Sequence, residues 1–258
     1  MNIQLAVREG TKILKDRSII SAQLDTEILM AKALGTNREY IILNENKVLE
    51  KKNLEYFKKL VKERANRKPI AYLLKKKFFW NSEFYVNKDT LIPRPDTELI
   101  IEQVLKISKN KNKLSLLDIG AGSGCILLSI LKEKKNFYGT GIDISKNSLE
   151  ICKINAKKLN INGRVKFFKS DVDKFDLGKY DLVVSNPPYI KRSDLKYLES
   201  DVIKFEPKLA LDGGLDGLSV IRKVINKSSD LLKKNGKFIL EIGFDQKNKV
   251  IKLLNDKR

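Results

Sequence analysis

From Leu114 onward, short apolar runs alternate with amphipathic stretches, and no other feature of the chain limits its possible folds as tightly. The runs are Leu114 to Leu117, Phe137 to Ile142, Val165 to Phe168 and Leu182 to Ser185, separated by helical patterns that end near Lys132 and Leu159. Strands this short and this apolar read as buried on both faces, which implies βαβ units and a mostly parallel sheet with helices on both sides. The pattern continues as a helix from Leu218 to Leu232, a turn at Asn235-Gly236, a strand from Phe238 to Ile242 and a last helix from Val250 to Leu254.

Roughly the first 70 residues differ. Leu24, Ile28, Ala31 and Leu34 lie three or four apart, as do Leu54, Phe57, Leu60 and Val61, with Gly35 and Pro69 as stop signals, so a small helical bundle precedes the sheet. Between the two, KFFWNSEFYVNKDTLIPRP mixes aromatic and β-branched residues with turn residues, the pattern of a β-hairpin. Asp96 or Thr97 is then placed to cap a helix through Leu99, Ile100, Val104 and Ile107.

At 258 residues the chain can bury real cores without disulfides, and its two cysteines, Cys125 and Cys152, suit reduced thiols in the cytoplasm. No signal peptide or membrane span is expected: Leu114 to Leu131 is interrupted by Asp118 and three glycines. Histidine is absent, which excludes His-based triads and leaves no expectation of a metal. The 52 Lys and Arg against 32 Asp and Glu give +20, yet the first 75 residues hold 16 basic and 9 acidic side chains, so the excess is spread evenly. An even spread reads as solvation of every face more readily than as a nucleic-acid stripe.

Chemistry concentrates at the strand ends, where open α/β sheets bind ligands. LLDIGAGSGCILL sets Asp118 at the end of the first strand, before Gly120, Ala121, Gly122, Ser123 and Gly124. Its third glycine comes one residue earlier than in G-x-G-x-x-G, and an acid precedes it, as suits a partner with a cationic amino group and no pyrophosphate. The second strand ends in Asp143, placed for ribose hydroxyls, and the third in Asp171 and Val172, placed for an adenine amino group and ring face. Each acid alone also reads as a helix cap or turn residue. Together the three positions describe a pocket for an adenosine joined to an amino acid, S-adenosyl-L-methionine.

The fourth strand ends in Ser185-Asn186-Pro187-Pro188-Tyr189. X-Pro geometry holds Asn186 extended, and neither proline carries an N–H, so the Asn186 side-chain oxygen and the Pro187 carbonyl stand as paired acceptors for a planar NH2 group. Such an amine is a poor nucleophile, and binding both of its N–H bonds favours the charge that builds on nitrogen during attack. Tyr189 reads either as a wall of that site or as core packing.

LLDIGAGSG, GIDIS, SNPPYI, FEPKLALDGGLDGL and LIPRPDTELI, with RKPIAYLL upstream, resemble the HemK/PrmC family of peptide-chain release factor glutamine methyltransferases over nearly the whole chain. The resemblance implies a Rossmann-like class I S-adenosylmethionine-dependent methyltransferase domain at 94–258, preceded by a helical substrate-recognition domain at 1–75 and a β-hairpin linker at 76–93. It implies N5-methylation of the glutamine in the Gly-Gly-Gln loop of class 1 release factors, in the cytoplasm, with no membrane and no stable nucleic-acid partner. Gly120 to Gly124, Asp143 and Val172 then bind cofactor, and Asn186 to Tyr189 bind the glutamine. NPPY is shared with adenine-N6 DNA and RNA methyltransferases, and ribosomal-protein glutamine methyltransferases are related. A basic RNA-binding protein that keeps the fold without catalysis is the alternative of a different kind. Three features depart from the family pattern: Val172 stands where an aromatic is common, Lys75 stands where a glycine is common, and the sequence ends at KLLNDKR where the family pattern continues into a final strand pair, so the Phe238 strand is expected to be a sheet edge.

Overall fold

A computed structural model describes residues 1–256, so the last two residues of the expected 94–258 segment lie outside the described residues. The chain divides into two compact units, Met1–Lys75 with Ser200–Phe205, and Lys76–Glu199 with Glu206 onward.

The first unit contains α1 (Ile3–Asp16), α2 (Ala22–Leu34), α3 (Arg38–Leu43), α4 (Lys51–Ala65) and α5 (Ile70–Leu74). Asn2 caps α1 by accepting from the Leu5 amide at 2.9 Å, and Ile3, Ala6 and Leu14 bury the stripe that the helical spacing sets on one face. Leu29, Met30, Phe57, Leu60 and Val61 of α2 and α4 close the same core. One buried charge crosses it: Arg64 Nε donates to Asp25 and Nη1 to Asp201, each at 2.6 Å. A guanidinium with two carboxylate partners is held charged, and only removing both acids would leave it in the core without a counter-charge. The unit ends at Lys75, whose φ of 57° is the left-handed conformation that a glycine adopts more easily.

The second unit opens with an antiparallel hairpin of β1 (Lys77–Phe79) and β2 (Ser82–Phe84) around Trp80-Asn81. It continues with α6 (Glu98–Ile107), β3 (Ser115–Ile119), α7 (Cys125–Glu133), β4 (Tyr138–Asp143), α8 (Lys146–Lys158), β5 (Val165–Lys169) and β6 (Tyr180–Ser185). After α9 (Ser200–Phe205), which belongs with the first unit, come α10 (Ser219–Leu231), β7 (Leu232–Leu240) and α11 (Lys247–Asn255). The sheet is wholly parallel in the order β5-β4-β3-β6-β7. Leu116, Leu182 and Val184 pack on one face with Ile101, Leu127 and Leu131, whereas Leu117, Ile119 and Val183 pack on the other with Val172, Val224 and Leu231. Alternate residues of the same strands thus feed two cores, as burial on both faces requires.

Two local expectations are corrected. Asn235-Gly236 does not end a strand: Leu232–Leu240 runs through it, with Asn235 at φ 66° and a register shift opposite Tyr180 and Leu182, so the pair forms a bulge. Helix α6 begins through a 3-10 turn, Pro95–Thr97, and Thr97 makes no capping hydrogen bond. Its hydroxyl is engaged elsewhere, as described next.

Candidate active site

The strand order fixes where a ligand can enter. From β3 the chain winds outward to β4 and β5, then returns to place β6 on the opposite side of β3. At such a switch point the connections leave in opposite directions and open a crevice beyond the carboxyl ends of the two central strands. Ser185 Oγ ties those ends together by donating to the Ile119 carbonyl at 2.7 Å. A cavity of about 420 Å3 lies there, within the range of small-molecule sites. Gly120, Ala121, Gly122, Ser123, Asp143, Asp171, Val172, Asn186, Pro187 and Pro188 all line it, joined by Arg94, Thr97 and Lys223.

The glycine loop is built from backbone. Gly120 and Gly122 take φ of +81° and +58°, and a Cβ on Gly120 would meet nothing within 4 Å, so the main chain faces open space that a ligand can approach. Asp143 holds this loop: Oδ2 accepts from the Gly122 amide at 2.9 Å and Oδ1 from the Ser145 amide at 2.8 Å. Burial raises its carboxyl above the usual range, opposed by those two amides, and a carboxylate retains further lone pairs for hydroxyl donors. Asp171 accepts from the Asp173 amide at 3.3 Å, and Val172 is buried against Ile142 and Phe175 while lining the cavity.

Three expected site residues do not line the cavity. Gly124 is the N-cap of α7, where a Cβ would come within 2.9 Å of Leu128. Asp118 is fully buried, and neither carboxylate oxygen has a hydrogen-bond partner. Burial pushes its carboxyl up to about 7, opposed by the Leu127 amide in the first turn of α7 and reinforced by the charge of Asp143. Tyr189 is half-buried and packs beside Leu218, Ile221, Ile225 and Val250. Its main chain is fixed by Gln246, whose Nε2 donates to the Tyr189 carbonyl at 2.9 Å and to the Gly217 carbonyl at 3.1 Å.

Asn186 is held by its nitrogen. Nδ2 donates to Thr97 Oγ1 at 3.0 Å, and Thr97 is buried. Behind them stands Glu241, one residue past β7, whose amide donates to the Ser185 carbonyl at 3.0 Å. Burial raises its carboxyl above the ordinary range, opposed by the nearby polar groups of Thr97, Asn186 and Tyr189, and its Oε2 is buried without a partner. Arg94, which lines the cavity, is anchored by Glu206, whose carboxylate accepts from Arg94 Nη2 at 2.6 Å and from the Ile92 amide at 3.1 Å, fixing the Ile-Pro-Arg-Pro segment. Sequence reasoning missed Thr97 and Glu241 as site residues, although the rule that found Asp143, an acid closing a parallel strand, also marks Glu241.

A parallel sheet of this order, with a glycine loop and an acid at adjoining strand ends, defines a methyltransferase of the S-adenosylmethionine-dependent class. The comparisons with known proteins agree: residues 110–256 match the methyltransferase domain family and residues 6–74 the PrmC N-terminal domain family. The release factor glutamine methyltransferase of Caulobacter vibrioides is 37% identical over 92% of this chain and 82% of its own length. That of Clostridium botulinum is 38% identical over 96% and 89%. A bifunctional methyltransferase of Rickettsia conorii is 34% identical over 99% of this chain, which spans 53% of that protein. Among solved structures, a ribosomal protein L11 methylase from Lactobacillus delbrueckii subsp. bulgaricus aligns with a TM-score of 0.47 at 19% identity, over 64% of this chain and 69% of that one. The chain belongs to the release factor glutamine methyltransferase family. It is an S-adenosyl-L-methionine-dependent glutamine methyltransferase. No helix among the described residues is long and apolar enough to cross a membrane.

Proposed function

We propose that this chain methylates N5 of the glutamine in the Gly-Gly-Gln loop of class 1 peptide-chain release factors. The observation that carries the reading is the tethering of Asn186 by its nitrogen, which leaves Oδ1 as the free end of an amide on the cavity wall. An oxygen there, beside the Pro187 carbonyl, accepts the two N–H bonds of a carboxamide and turns away amines that lack them.

The residues present fit the cofactor. Open backbone at Gly120 and Gly122, with Ala121 and Ser123 between them, accommodates the amino-acid end, Asp143 the ribose, and Asp171 and Val172 the adenine. When bound, S-adenosylmethionine supplies an electrophilic sulfonium methyl, so no acid, base or metal is required to activate the donor. The protein's contribution is orientation: Asn186 and Pro187 hold the amide nitrogen in place and favour the charge it gains. Pro188 keeps the loop free of competing N–H groups. The helical unit Met1–Lys75 is assigned to gripping the release factor, and the protein acts in the cytoplasm, where termination occurs, without a stable nucleic-acid partner.

Incubation with S-adenosylmethionine and a purified class 1 release factor, followed by mass spectrometry of the Gly-Gly-Gln peptide, tests this. One added methyl on the glutamine side chain is expected. Methyl transfer to DNA or RNA with the release factor unmodified would overturn it.

A further inference from the structure

Resting on the placement of the cofactor in the cavity, we infer that Asn155 of α8 is a positioning residue that locks the glycine loop to segment 85–91 and so holds two walls of the cofactor site in one geometry. Residues 88–91 and 120–123 both line the cavity. Asn155 is fully buried and does not line it, yet its side-chain amide touches both stretches. Oδ1 accepts from the Tyr85 amide at 2.7 Å, and Nδ2 donates to the Tyr85 carbonyl at 3.0 Å and to the Ser123 carbonyl at 2.9 Å. Tyr85 directly follows β2, so the asparagine gives its main chain the pair of bonds that a neighbouring strand would give. Both amide hydrogens are donated and the oxygen is occupied, and the reverse orientation would set that oxygen against two carbonyls.

The same face of the helix repeats the arrangement. Ser148, Cys152 and Asn155 stand at i, i+4 and i+7, one stripe of α8, and all three are buried. Ser148 Oγ donates to the Asp89 carbonyl at 2.9 Å, and Cys152 Sγ donates to the Gly122 carbonyl at 3.2 Å. Each of these reaches one stretch, whereas Asn155 joins the two. Residues 85–91 form neither helix nor strand, and neither does the glycine loop, so their shape depends on such ties. A buried amide that spends every hydrogen bond on irregular backbone removes freedom that the ligand would otherwise have to remove on binding.

The test uses the full chain. Asn155→Ala should raise the Kd of S-adenosylmethionine about tenfold by calorimetry, with kcat at saturating cofactor reduced by less than about threefold. A residue with a merely structural role would lower stability to urea equally with and without S-adenosylmethionine. A positioning residue costs more when the cofactor is present, because the folded state is then bound less tightly. Asn155→Ser, which keeps one hydroxyl donor for a carbonyl, should show the same split at smaller size, and it serves if the alanine variant is recovered unfolded. An unchanged cofactor Kd in the folded variant, equal urea losses in the two conditions, or failure of both variants to fold with cofactor present would overturn the inference. Cofactor affinity is measured without release factor, so a parent that leaves the Gly-Gly-Gln peptide unmethylated strikes the substrate assignment and leaves the calorimetric comparison standing. If Gly120→Ala, at a residue that lines the cavity, also leaves cofactor Kd unchanged, the placement of the cofactor fails and the role of Asn155 with it.

Discussion

The two central strands end in mouths of opposite construction. Beyond β3, the wall is main chain: glycines in left-handed conformations, tied by one carboxylate 21 positions away. Beyond β6, the wall is side chain: an asparagine whose amide nitrogen is tethered to a threonine 89 positions away. On the proposed assignment, the backbone wall takes the amino-acid end of the cofactor through shape and close approach and tolerates little except glycine. A side-chain wall recognises one functional group through the direction of its hydrogen bonds. The first should fail by losing affinity, the second by losing turnover while affinity persists.

The largest expected effect separates the two modes. Asn186→Ala should cut kcat by about 100- to 1,000-fold, the usual loss when a preorganised charge-stabilising group is removed, and leave cofactor Kd within a few fold by calorimetry. A variant with near-normal turnover, or one whose cofactor binding falls in step with its rate, would erase the distinction.

The buried acid at the end of β3 predicts a pH effect on stability. Asp118 has its folded carboxyl at about 7, above its value of 3.8 in an unfolded chain. Between those values the folded state holds a proton that the unfolded state has lost, so the slope of unfolding free energy with pH is negative. Stability is fully present below about 4 and falls as pH rises to about 7, by on the order of 2 to 4 kcal/mol for this group. Asp118→Asn removes that slope. Urea denaturation of parent and variant at pH 4.5 and 7.5 checks it, and parallel slopes would contradict the assignment.

How legible each mouth was in the sequence follows from the same contrast. LLDIGAGSG and GIDIS are contiguous, and their spacing from strand ends dictated which residues would meet, so the glycine loop and Asp143 could be placed from local pattern. The Asn-Pro-Pro-Tyr stretch was equally visible, but its supports were not. Thr97 read as a helix cap because Pro-Asp-Thr-Glu before an apolar run is ordinary capping chemistry, and only tertiary contact with Asn186 diverts its hydroxyl. Asn235-Gly236 read as a turn because local propensity favours one, yet pairing with β6 absorbs it as a bulge. The glycine at 124 looked equivalent to its neighbours in the motif, but it serves the packing of α7 against Leu128.

A smaller effect is expected at Asp143, which belongs to both descriptions because it holds the glycine loop through one oxygen and faces the cavity. Asp143→Asn keeps the shape, but its amide nitrogen can no longer accept from the backbone amide opposite it. Cofactor affinity should fall about tenfold, equivalent to ~1.4 kcal/mol, with kcat at saturating cofactor reduced less than Kd is raised. A fall in kcat without loss of affinity would assign Asp143 to the second mouth.

The smallest effect tests whether the first mouth is a surface of backbone at all. Gly120 and Gly124 share φ of +81°, so alanine at either carries the same left-handed strain of about 1 kcal/mol, but their surroundings differ. At Gly124 the new methyl meets Leu128 at 2.9 Å and Cys152 at 3.3 Å, so strain adds to overpacking and urea stability should fall by about 2 kcal/mol or more, with affinity largely kept. At Gly120 it meets nothing within 4 Å and projects into the space assigned to the cofactor. Gly120→Ala should therefore cost only the strain in stability while weakening cofactor binding, the reverse of Gly124→Ala. Equal losses of affinity in the two variants would mean that the loop acts through its conformation and not through close approach of its main chain.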